Sequence, residues 1–457
     1  MSQEEVTVFE PDFRVKGVDI ENFRGFEKLE LEFHPQLTVL IGENGAGKTA
    51  ILDCLVIATF LLAKEIILGI LEEVLGIFEK ENQAVKQLVE EVLDFFLGNA
   101  VKQGTLETKN SVDFLFEIKN SAGLLVDNRH YWIRFAKNTY NGVKINHNLA
   151  DSLNEMPIDS ILLQLQREPI NFPIFAYYPI THAPVNLIDF KKANESKDSL
   201  EIDFIAALKG LLKNFDFISF FSWYKWQENI EKQIGENKTL NAIREAIYKL
   251  LSDNNNQFDQ LHINWLNDPN GEMLIQKNQT PLNINQLSAG EKTLLTLVAD
   301  LARRLAIANP HREKPLEGYG VVLIDEIDLH LHPRWQRKVV PQLRATFPNC
   351  QWIVTTHSPH VLSQVDPENV FILKDFKVLK NTQATYGRDA NSILSDIMEV
   401  SPRPEDMQQR IEKCFDLIDD GELEAAKKLL TELSEQVGAN DPDIVYGYSL
   451  VNFMSEE

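Results

Sequence analysis

The sequence predicts an α/β fold: a core sheet that carries a glycine-rich loop, an antiparallel β subdomain, a helical insertion and a C-terminal pair of helices. Three observations predict this fold. An apolar strand at 37–41 leads into a glycine-rich loop, and a helical pattern starts at Lys48. Further apolar strands at 319–324 and 351–356 each end in a short polar motif. Two amphipathic helices, split at 419–421, close the chain.

The other elements follow from hydrophobic periodicity, in chain order. Residues 13–33 alternate as two short strands around the turn Phe23-Arg24-Gly25-Phe26, and residues 64–101 keep the 3.6-residue period of a helix. Residues 191–256 are polar and helical, with an aromatic patch at 215–226 that is more typical of a core than of a base-stacking platform. Strand patterns recur at 112–118, 130–136, 173–178 and 369–374.

These patterns predict four regions. They are a first lobe at 1–190 with a helical insertion at about 54–101, a helical insertion at 191–280, a motif-rich lobe at 281–385, and an acidic helical region at 386–457. Residues 401–457 carry fourteen Asp and Glu against five Lys and Arg. The simplest interpretation of this tail is a helical hairpin that covers an edge of the core. A hairpin that also docks a basic partner is equally favoured.

Composition limits the classes of function. The net charge of −23 argues against a broad nucleic-acid surface, although a local basic groove would be compatible with it. Three widely separated cysteines and an acidic N-terminus without a secretory pattern predict a cytoplasmic protein. The apolar stretch 51–78 has a longest uncharged run of ten residues, short of the ~20 that span a bilayer, so it predicts a buried helix.

The glycine-rich loop fits the pattern GxxxxGK[ST] in the strand–loop–helix setting that such a loop requires. In this pattern backbone amides surround phosphate groups, the lysine reaches the β and γ positions, and the hydroxyl holds Mg²⁺. The sequence therefore predicts ATP and Mg²⁺ as ligands, with the cradle formed by Gly42, Asn44, Gly45, Ala46, Gly47, Lys48 and Thr49.

Three further motifs follow in a fixed order: Leu287-Ser288-Ala289-Gly290-Glu291, Leu323-Ile324-Asp325-Glu326 and Thr356-His357-Ser358. Asp325 ends an apolar strand, where its carboxylate can hold a metal ion. Ser288 and Glu291 have the spacing of a helix capping box, which is a purely structural role. A serine hydroxyl and a glycine amide at a helix N-terminus also make an anion site, and both roles are compatible.

Together the four motifs resemble those of ATPases of the ABC type. The resemblance implies that Glu326 is the general base, that Asp325 and Thr49 hold the metal, and that His357 contacts the γ-phosphate. It further implies that Asp328 lies in a dimer-contact loop, and that Ser288 and Gly290 complete the site of a second protomer. Arg24 matches a phosphate contact of related ATPases, but a surface strand residue is an equal alternative. The glutamine that often links the two lobes has no clear counterpart among Gln164, Gln166 and Tyr178.

Within that superfamily the chain resembles the SMC and RecF group, through Ile20-Glu21-Asn22-Phe23-Arg24-Gly25-Phe26. Lys48 and Ser288 lie 240 residues apart without sustained heptads, which indicates a compact head rather than an SMC coiled coil. The tail, with Tyr386-Gly387-Arg388-Asp389 and the region 417–426, resembles the ATPase subunits of bacterial Septu and retron anti-phage systems. That resemblance implies a homodimer or higher homo-oligomer, a separately encoded HNH endonuclease and DNA as partners.

Two other functions compete with this one. A RecF-like repair ATPase without a nuclease partner is compatible with every ATPase motif, and only the tail argues against it. A nuclease that fuses the same head to a Toprim domain is disfavoured, because about a hundred mostly helical residues follow His357. The DxD there, Asp441-Pro442-Asp443, is expected in a polar turn.

Overall fold

The computed structural model describes residues 10–59, 107–119, 125–138, 171–180, 217–266 and 269–455. The chain divides into two compact units, Met1–Gly387 and Arg388–Glu457. The strands are β1 Glu10–Phe23, β2 Phe26–Glu32, β3 Leu37–Gly42, β4 Glu107–Lys119, β5 Leu125–Asn138, β6 Ile174–Tyr178, β7 Phe258–Asn264, β8 Glu272–Lys277, β9 Thr280–Asn283, β10 Gly320–Ile324, β11 Cys350–Thr355, β12 Val370–Lys374 and β13 Lys377–Lys380.

Ten helices are described. They are α1 at 48–59, α2 Phe217–Ile234, α3 Lys238–Leu251, α4 Ala289–Ala308, α5 Pro333–Thr346, α6 Pro359–Leu362, α7 Ala390–Asp396, α8 Glu405–Asp419, α9 Leu423–Val437 and α10 Pro442–Ser455. Short 3₁₀ turns lie at Ile284–Gln286, Pro315–Glu317 and Pro367–Asn369. The predicted helix at 64–101, and with it most of the insertion at 54–101, lies outside the described residues. No helix within the described ranges combines the length and apolarity needed to cross a membrane.

The core is a six-stranded sheet in the order β13-β12-β3-β11-β10-β6. The strands from β12 to β6 run parallel, and β13 is antiparallel to β12 at the edge. All five residues of β10 and all six of β11 are buried, as expected for parallel strands covered on both faces. The carboxyl ends of the neighbouring strands β3, β11 and β10 therefore meet at one edge of the sheet. The loops after these three ends carry three of the sequence motifs.

A four-stranded antiparallel sheet, in the order β2-β1-β4-β5, forms the predicted β subdomain. The strand predictions at 13–33, 112–118 and 130–136 are confirmed, and β4 and β5 are longer than predicted. The β1–β2 turn needs positive φ angles at Asn22 (54°) and Arg24 (50°). Phe23 and Phe26, on either side of this turn, are fully buried. The turn is thus fixed by both backbone geometry and core packing.

The prediction of a helical insertion over 191–280 is wrong for its last part. Residues 217–251 are helical, but β7, β8 and β9 form a three-stranded antiparallel sheet. Met273 and Ile275 alternate into the core, which is the period of a strand. The β8–β9 hairpin turns at Asn278 (φ 51°) and Gln279 (φ 67°), a pair that lacks the usual Asn-Gly signal. The absence of that signal explains why the sequence did not predict this sheet.

The aromatic patch on α2 is mainly core. Phe217, Phe220, Phe221 and Tyr224 are buried, and the Trp226 side chain is half-exposed. This arrangement supports the interpretation as core, and Phe215 lies outside the described residues.

The predicted C-terminal helical pair is a three-helix unit. Helices α8 and α9 are separated at Asp420–Glu422 as predicted, but α10 packs against both. Gly447 of α10 lies so close to α9 that a Cβ atom there would be 2.7 Å from Cδ2 of Leu430. The pair of Asp441 and Asp443, expected in a polar turn, lies at the start of α10, where both carboxylates pair with Arg403. The third helix was missed because its apolar residues do not keep a clear helical period.

Candidate nucleotide site

The phosphate loop after β3 has the backbone shape of an anion cradle. Gly45 (φ 83°) and Gly47 (φ 105°) occupy the left-handed region, which L side chains rarely adopt. A Cβ atom at Gly47 would lie 2.5 Å from Cζ of Phe26, and one at Gly42 would lie 2.2 Å from the Leu373 carbonyl oxygen. These glycines are therefore required by the geometry of the loop, and the same geometry exposes backbone N–H groups to a phosphate group.

Lys48, in the first turn of α1, is folded back into this loop. Its Nζ donates to the carbonyl oxygens of Gly42 at 2.8 Å and Glu43 at 2.9 Å. Burial lowers the pKa of Lys48, and the nearby carboxylates of Asp325, Glu326 and Asp328 offset part of that shift. Among the described residues, the hydrogen bonds of this buried cation go to neutral carbonyls, which leaves it well prepared for an anionic ligand.

Asp325, at the end of β10, is tied to both neighbouring strands. Its Oδ2 accepts from Oγ1 of Thr49 at 2.8 Å, and its Oδ1 accepts from Oγ1 of Thr355 at 2.6 Å. Its N–H donates to the Tyr178 carbonyl oxygen at 2.9 Å, so β6 also fixes its backbone. Only 1% of Asp325 is exposed. The carboxylate is thus held in one orientation beside the Thr49 hydroxyl.

A metal ion would fit at this pair of side chains. Thr49 and Asp325 supply the hard oxygen ligands that Mg²⁺ prefers, and they already lie within hydrogen-bond distance of each other. When bound, Mg²⁺ would supply positive charge that offsets the negative charge of a phosphate ligand. Within the described ranges, no group of three or more His, Cys, Asp or Glu side chains is arranged to hold a metal ion.

Glu326 follows Asp325 with an unusual backbone conformation. Its φ is 52°, uncommon for a residue other than glycine, and its N–H donates to Oγ1 of Thr355 at 2.7 Å. Such a conformation persists only where the surroundings impose it, and it is often found at functional sites. Glu326 lies at the carboxyl edge of the sheet, and the Ile327 N–H that follows it still donates to the Thr355 carbonyl oxygen of β11 at 3.0 Å.

Asp328 and His357 form the next contact along this edge. Oδ1 of Asp328 accepts from the Thr356 hydroxyl and from the His357 N–H. Nε2 of His357 is buried and meets no hydrogen-bond partner within the described residues. Burial, and then the charge of Lys48, lowers the pKa of His357, and the carboxylates of Asp328, Glu326 and Asp325 offset part of that shift. Near Lys48 the site thus contains a buried ring nitrogen that has no hydrogen-bond partner among the described residues.

The segment 287–291 begins α4 with the predicted capping box, which is confirmed. The Ser288 side chain accepts from the Glu291 N–H, and the Glu291 side chain accepts from the Ser288 N–H. Gly290 is needed for close packing, since a Cβ atom there would lie 2.7 Å from the His330 carbonyl oxygen. The N-termini of α4 and α5 border one cleft of about 820 Å³, which is lined by Asp253, Asn255, Asn256, Ser288, Ala289, Gly290, His330, Leu331, His332, Arg334 and Trp335.

None of these lining residues belongs to the phosphate loop 42–49, which the structure describes in full. Ser288 and Gly290 therefore line this cleft, and Lys48 and Thr49 do not. On one protomer, the residues assigned to the composite site thus lie in two groups, one at the phosphate loop and one at the start of α4.

Arg24 pairs with a carboxylate that the sequence did not single out. Its guanidinium forms an ion pair with Asp53 of α1, whose carboxyl also receives a long hydrogen bond, 3.5 Å, from the Tyr177 hydroxyl. Burial raises the pKa of Asp53 to about 6, although Arg24 pulls it down. Asp53 and Tyr177 were missed because only the packing of α1 against β6 brings them together. The one available sequence signal for this pair was that Asp53, an acidic residue, follows Thr49 by four positions.

The inter-lobe contact remains without an assigned glutamine. Tyr178 is excluded from this role, because its hydroxyl is buried and donates to Oδ2 of Asp300 at 2.9 Å. Asp300 in turn pairs with Arg304, and both of these residues belong to α4. Gln164 and Gln166 lie outside the described residues.

Residues 14–362 match the profile of a family described as the AAA ATPase domain. The Retron Ec83 probable ATPase of Escherichia coli is 28% identical over 94% of this chain and 85% of its own length. The Retron Vc95 probable ATPase of Vibrio cholerae serotype O1 biovar El Tor is 30% identical over 91% of this chain and 85% of its own length.

A third relative is the Septu protein PtuA of Bacillus thuringiensis, 24% identical over 84% of each chain. Among solved structures, the SmcHead bound to the C-winged helix domain of ScpA matches with a TM-score of 0.40 and 17% identity. That match covers 81% of this chain and 98% of the other.

Proposed function

Because the chain belongs to the AAA ATPase domain family, we propose that it hydrolyses ATP as the ATPase subunit of an anti-phage defence complex. The proposed ATPase activity is supported by one observation: Lys48, Asp325 and His357 converge at one edge of the parallel sheet. The defence part is supported by relatives named as retron ATPases and as a Septu protein over most of the chain.

The roles of the residues follow from their positions. Lys48 and the loop amides bind the phosphates, and His357 donates a hydrogen bond to the terminal one. Thr49 and Asp325 hold Mg²⁺. Glu326 accepts the proton of the attacking water, a task for which a carboxylate needs only correct placement. Arg24 is proposed as a further phosphate contact when it leaves Asp53.

The separate cleft at Ser288 supports a dimer with ATP at its interface. The start of α4, with Ser288 and Gly290, has the positive end of a helix dipole that favours an anion, but the phosphate loop of the same protomer does not line that cleft. Two protomers arranged head to head would place each Ser288 against ATP on the other. Asp328, which anchors His357, would lie at that interface.

The Lys48→Ala variant is expected to bind ATP at least ~10-fold more weakly, because it loses charge-assisted hydrogen bonds to phosphate. Equilibrium binding of a fluorescent ATP analogue to the purified variant measures this loss. Lys48 pairs with loop carbonyls, so the melting temperature serves as the control for folding. Unchanged affinity in a folded variant would contradict the assignment of the loop.

The C-terminal unit offers a surface for the proposed HNH nuclease. Phe415 of α8 contacts Tyr446 of α10, with ring centroids 5.8 Å apart, and Tyr446 is 58% exposed. The exposed Glu412 and Asp419 lie three residues before and four after Phe415, on the same face of α8. An aromatic pair flanked by carboxylates fits a basic segment, through ion pairs and cation–π contacts.

Affinity purification tests the complex. Tagged Glu326→Gln protein would be purified with ATP from cells that carry its native operon, then tested by mass spectrometry and plasmid cleavage. We expect an HNH nuclease to co-purify and to cut DNA. A homodimer without a partner, which binds DNA and leaves it intact, would favour the RecF-like repair function instead.

Charge reversal tests the docking surface in the same purification. Glu412→Lys with Asp419→Lys is expected to reduce the recovered nuclease about 10-fold without changing the ATP turnover of the purified subunit. Glu424→Lys with Glu435→Lys makes the same charge change on exposed positions of α9 and should leave recovery unchanged. Equal losses from both pairs would show that net charge, and not this surface, governs binding.

A further inference from the structure

The hairpin β8–β9 brings a cation to the start of α4. Nζ of Lys277, the last residue of β8, lies 2.7 Å from Oε1 of Glu291. The Glu291 side chain is 4% exposed, against 28% for Lys277. A buried carboxylate is costly unless it is paired, so this lysine contributes to keeping Glu291 ionised and fixed in orientation.

Glu291 in turn holds Ser288. Its Oε2 accepts from the Ser288 N–H at 2.8 Å and from the Ser288 hydroxyl at 2.9 Å. The reverse bond of the capping box, from the Glu291 N–H to Oγ of Ser288, is longer at 3.4 Å. The orientation of Ser288 therefore depends mainly on the carboxylate of Glu291, and through it on Lys277.

The balance of charges agrees with this arrangement. Burial alone would raise the pKa of Glu291, but the hydrogen bond from Lys277 and those from Ser288 outweigh it, so the pKa lies below its ordinary value. Lys277 is itself held in place, since its Nζ also lies 5.6 Å from the ring centroid of Phe258. The adjacent turn is fixed by a bond from the Gln257 N–H to Oδ1 of Asn278 at 2.8 Å.

We propose that Lys277 is a positioning residue of the composite ATP site: it orients Glu291 so that Ser288 can receive the γ-phosphate of ATP bound to a second copy of the chain. When the phosphate arrives, the Ser288 hydroxyl turns from Glu291 to a phosphate oxygen, while the Ser288 N–H keeps its bond to Oε2. The start of α4 then needs no backbone rearrangement. This inference rests on the proposed function, because it requires Ser288 to act across a dimer interface.

Without Lys277, the second oxygen of a buried carboxylate has lost its partner. Glu291 then either takes up a proton or rotates toward water, and both changes loosen the bonds at Ser288. A glutamine at position 291 carries no charge and does not require the lysine. The two substitutions are therefore expected to be coupled rather than additive.

The test measures ATP-dependent dimerisation by sedimentation in a Glu326→Gln background. Lys277→Met is expected to weaken the dimer about 10-fold while leaving ATP affinity of the monomer unchanged. Lys277→Arg should restore most of the dimer. In a protein that already carries Glu291→Gln, adding Lys277→Met should have little further effect.

Lys232→Met is the control for removing a lysine from a buried glutamate, here Glu228, which keeps a second cation, Arg244, at 3.5 Å. Lys232 pairs at 2.8 Å with Glu228, which is also 4% exposed and also accepts a backbone N–H, from Ile263. This variant should lower the melting temperature without weakening the dimer. If Lys277→Met and Lys232→Met weaken the dimer equally, or if Lys277→Met dimerises like its parent, the positioning role is wrong. A Glu326→Gln parent that never dimerises with ATP would refute the composite site itself, and the positioning role with it.

Discussion

The Glu326→Gln variant is expected to hydrolyse ATP at least ~100-fold more slowly than the wild type and still to bind ATP, accumulating as an ATP-bound dimer. Glutamine keeps the shape and the hydrogen-bonding reach of the side chain but cannot accept the proton of the attacking water. The backbone of residue 326 is held by Thr355 through its N–H, which the substitution does not touch. Steady-state phosphate release and sedimentation with ATP measure the two parts of this result.

Glu399→Gln provides a matched control for this experiment. Glu399 is a second glutamate with positive φ, 54°, so the substitution makes the same charge change at a comparable backbone position. Glu399 lies in the C-terminal unit, and it follows all four motifs in the sequence. We expect turnover like that of the wild type from this control. The same turnover from Glu326→Gln would contradict the assignment of the general base.

The elements best predicted from sequence are those whose signal is local. A buried parallel strand is a continuous apolar run, so β3, β10 and β11 could be recognised without knowledge of their neighbours. The capping box at Ser288 is also encoded within four residues, and the structure contains it. The family assignment, which the comparisons confirm, depended on the same short motifs in their order.

The features that were missed depend on contacts between distant residues. The hydroxyl of Thr355 binds Asp325, thirty positions away, and no local pattern distinguishes it from an ordinary strand threonine. Asp53 and Tyr177 are likewise joined only by the folded core. Lys277 is one more polar residue on a strand until the hairpin brings it to Glu291. Sequence motifs thus name the groups that we propose to touch the ligand, whereas the residues that orient those groups emerge only from the fold.

The Ser288→Arg variant is expected to lose ATP turnover while the ATP affinity of the monomer stays close to that of the wild type. The arginine would fill the cleft at the start of α4, which the phosphate loop of the same protomer does not line. Hydrolysis fails because no competent partner surface reaches the γ-phosphate, and binding survives because Lys48 and the loop are intact. Ser395→Arg, at an exposed serine of α7, is the control for the added arginine.

Mixing two inactive variants makes this prediction sharper. In a heterodimer of Ser288→Arg with Glu326→Gln, one of the two sites combines an intact Glu326 with an intact Ser288, while the other site carries both defects. An equimolar mixture, prepared before ATP is added, should therefore recover up to about a quarter of wild-type turnover, as random pairing in a twofold dimer requires. A mixture that stays inactive, together with a collapse of ATP affinity in Ser288→Arg alone, would mean that Ser288 acts within its own protomer.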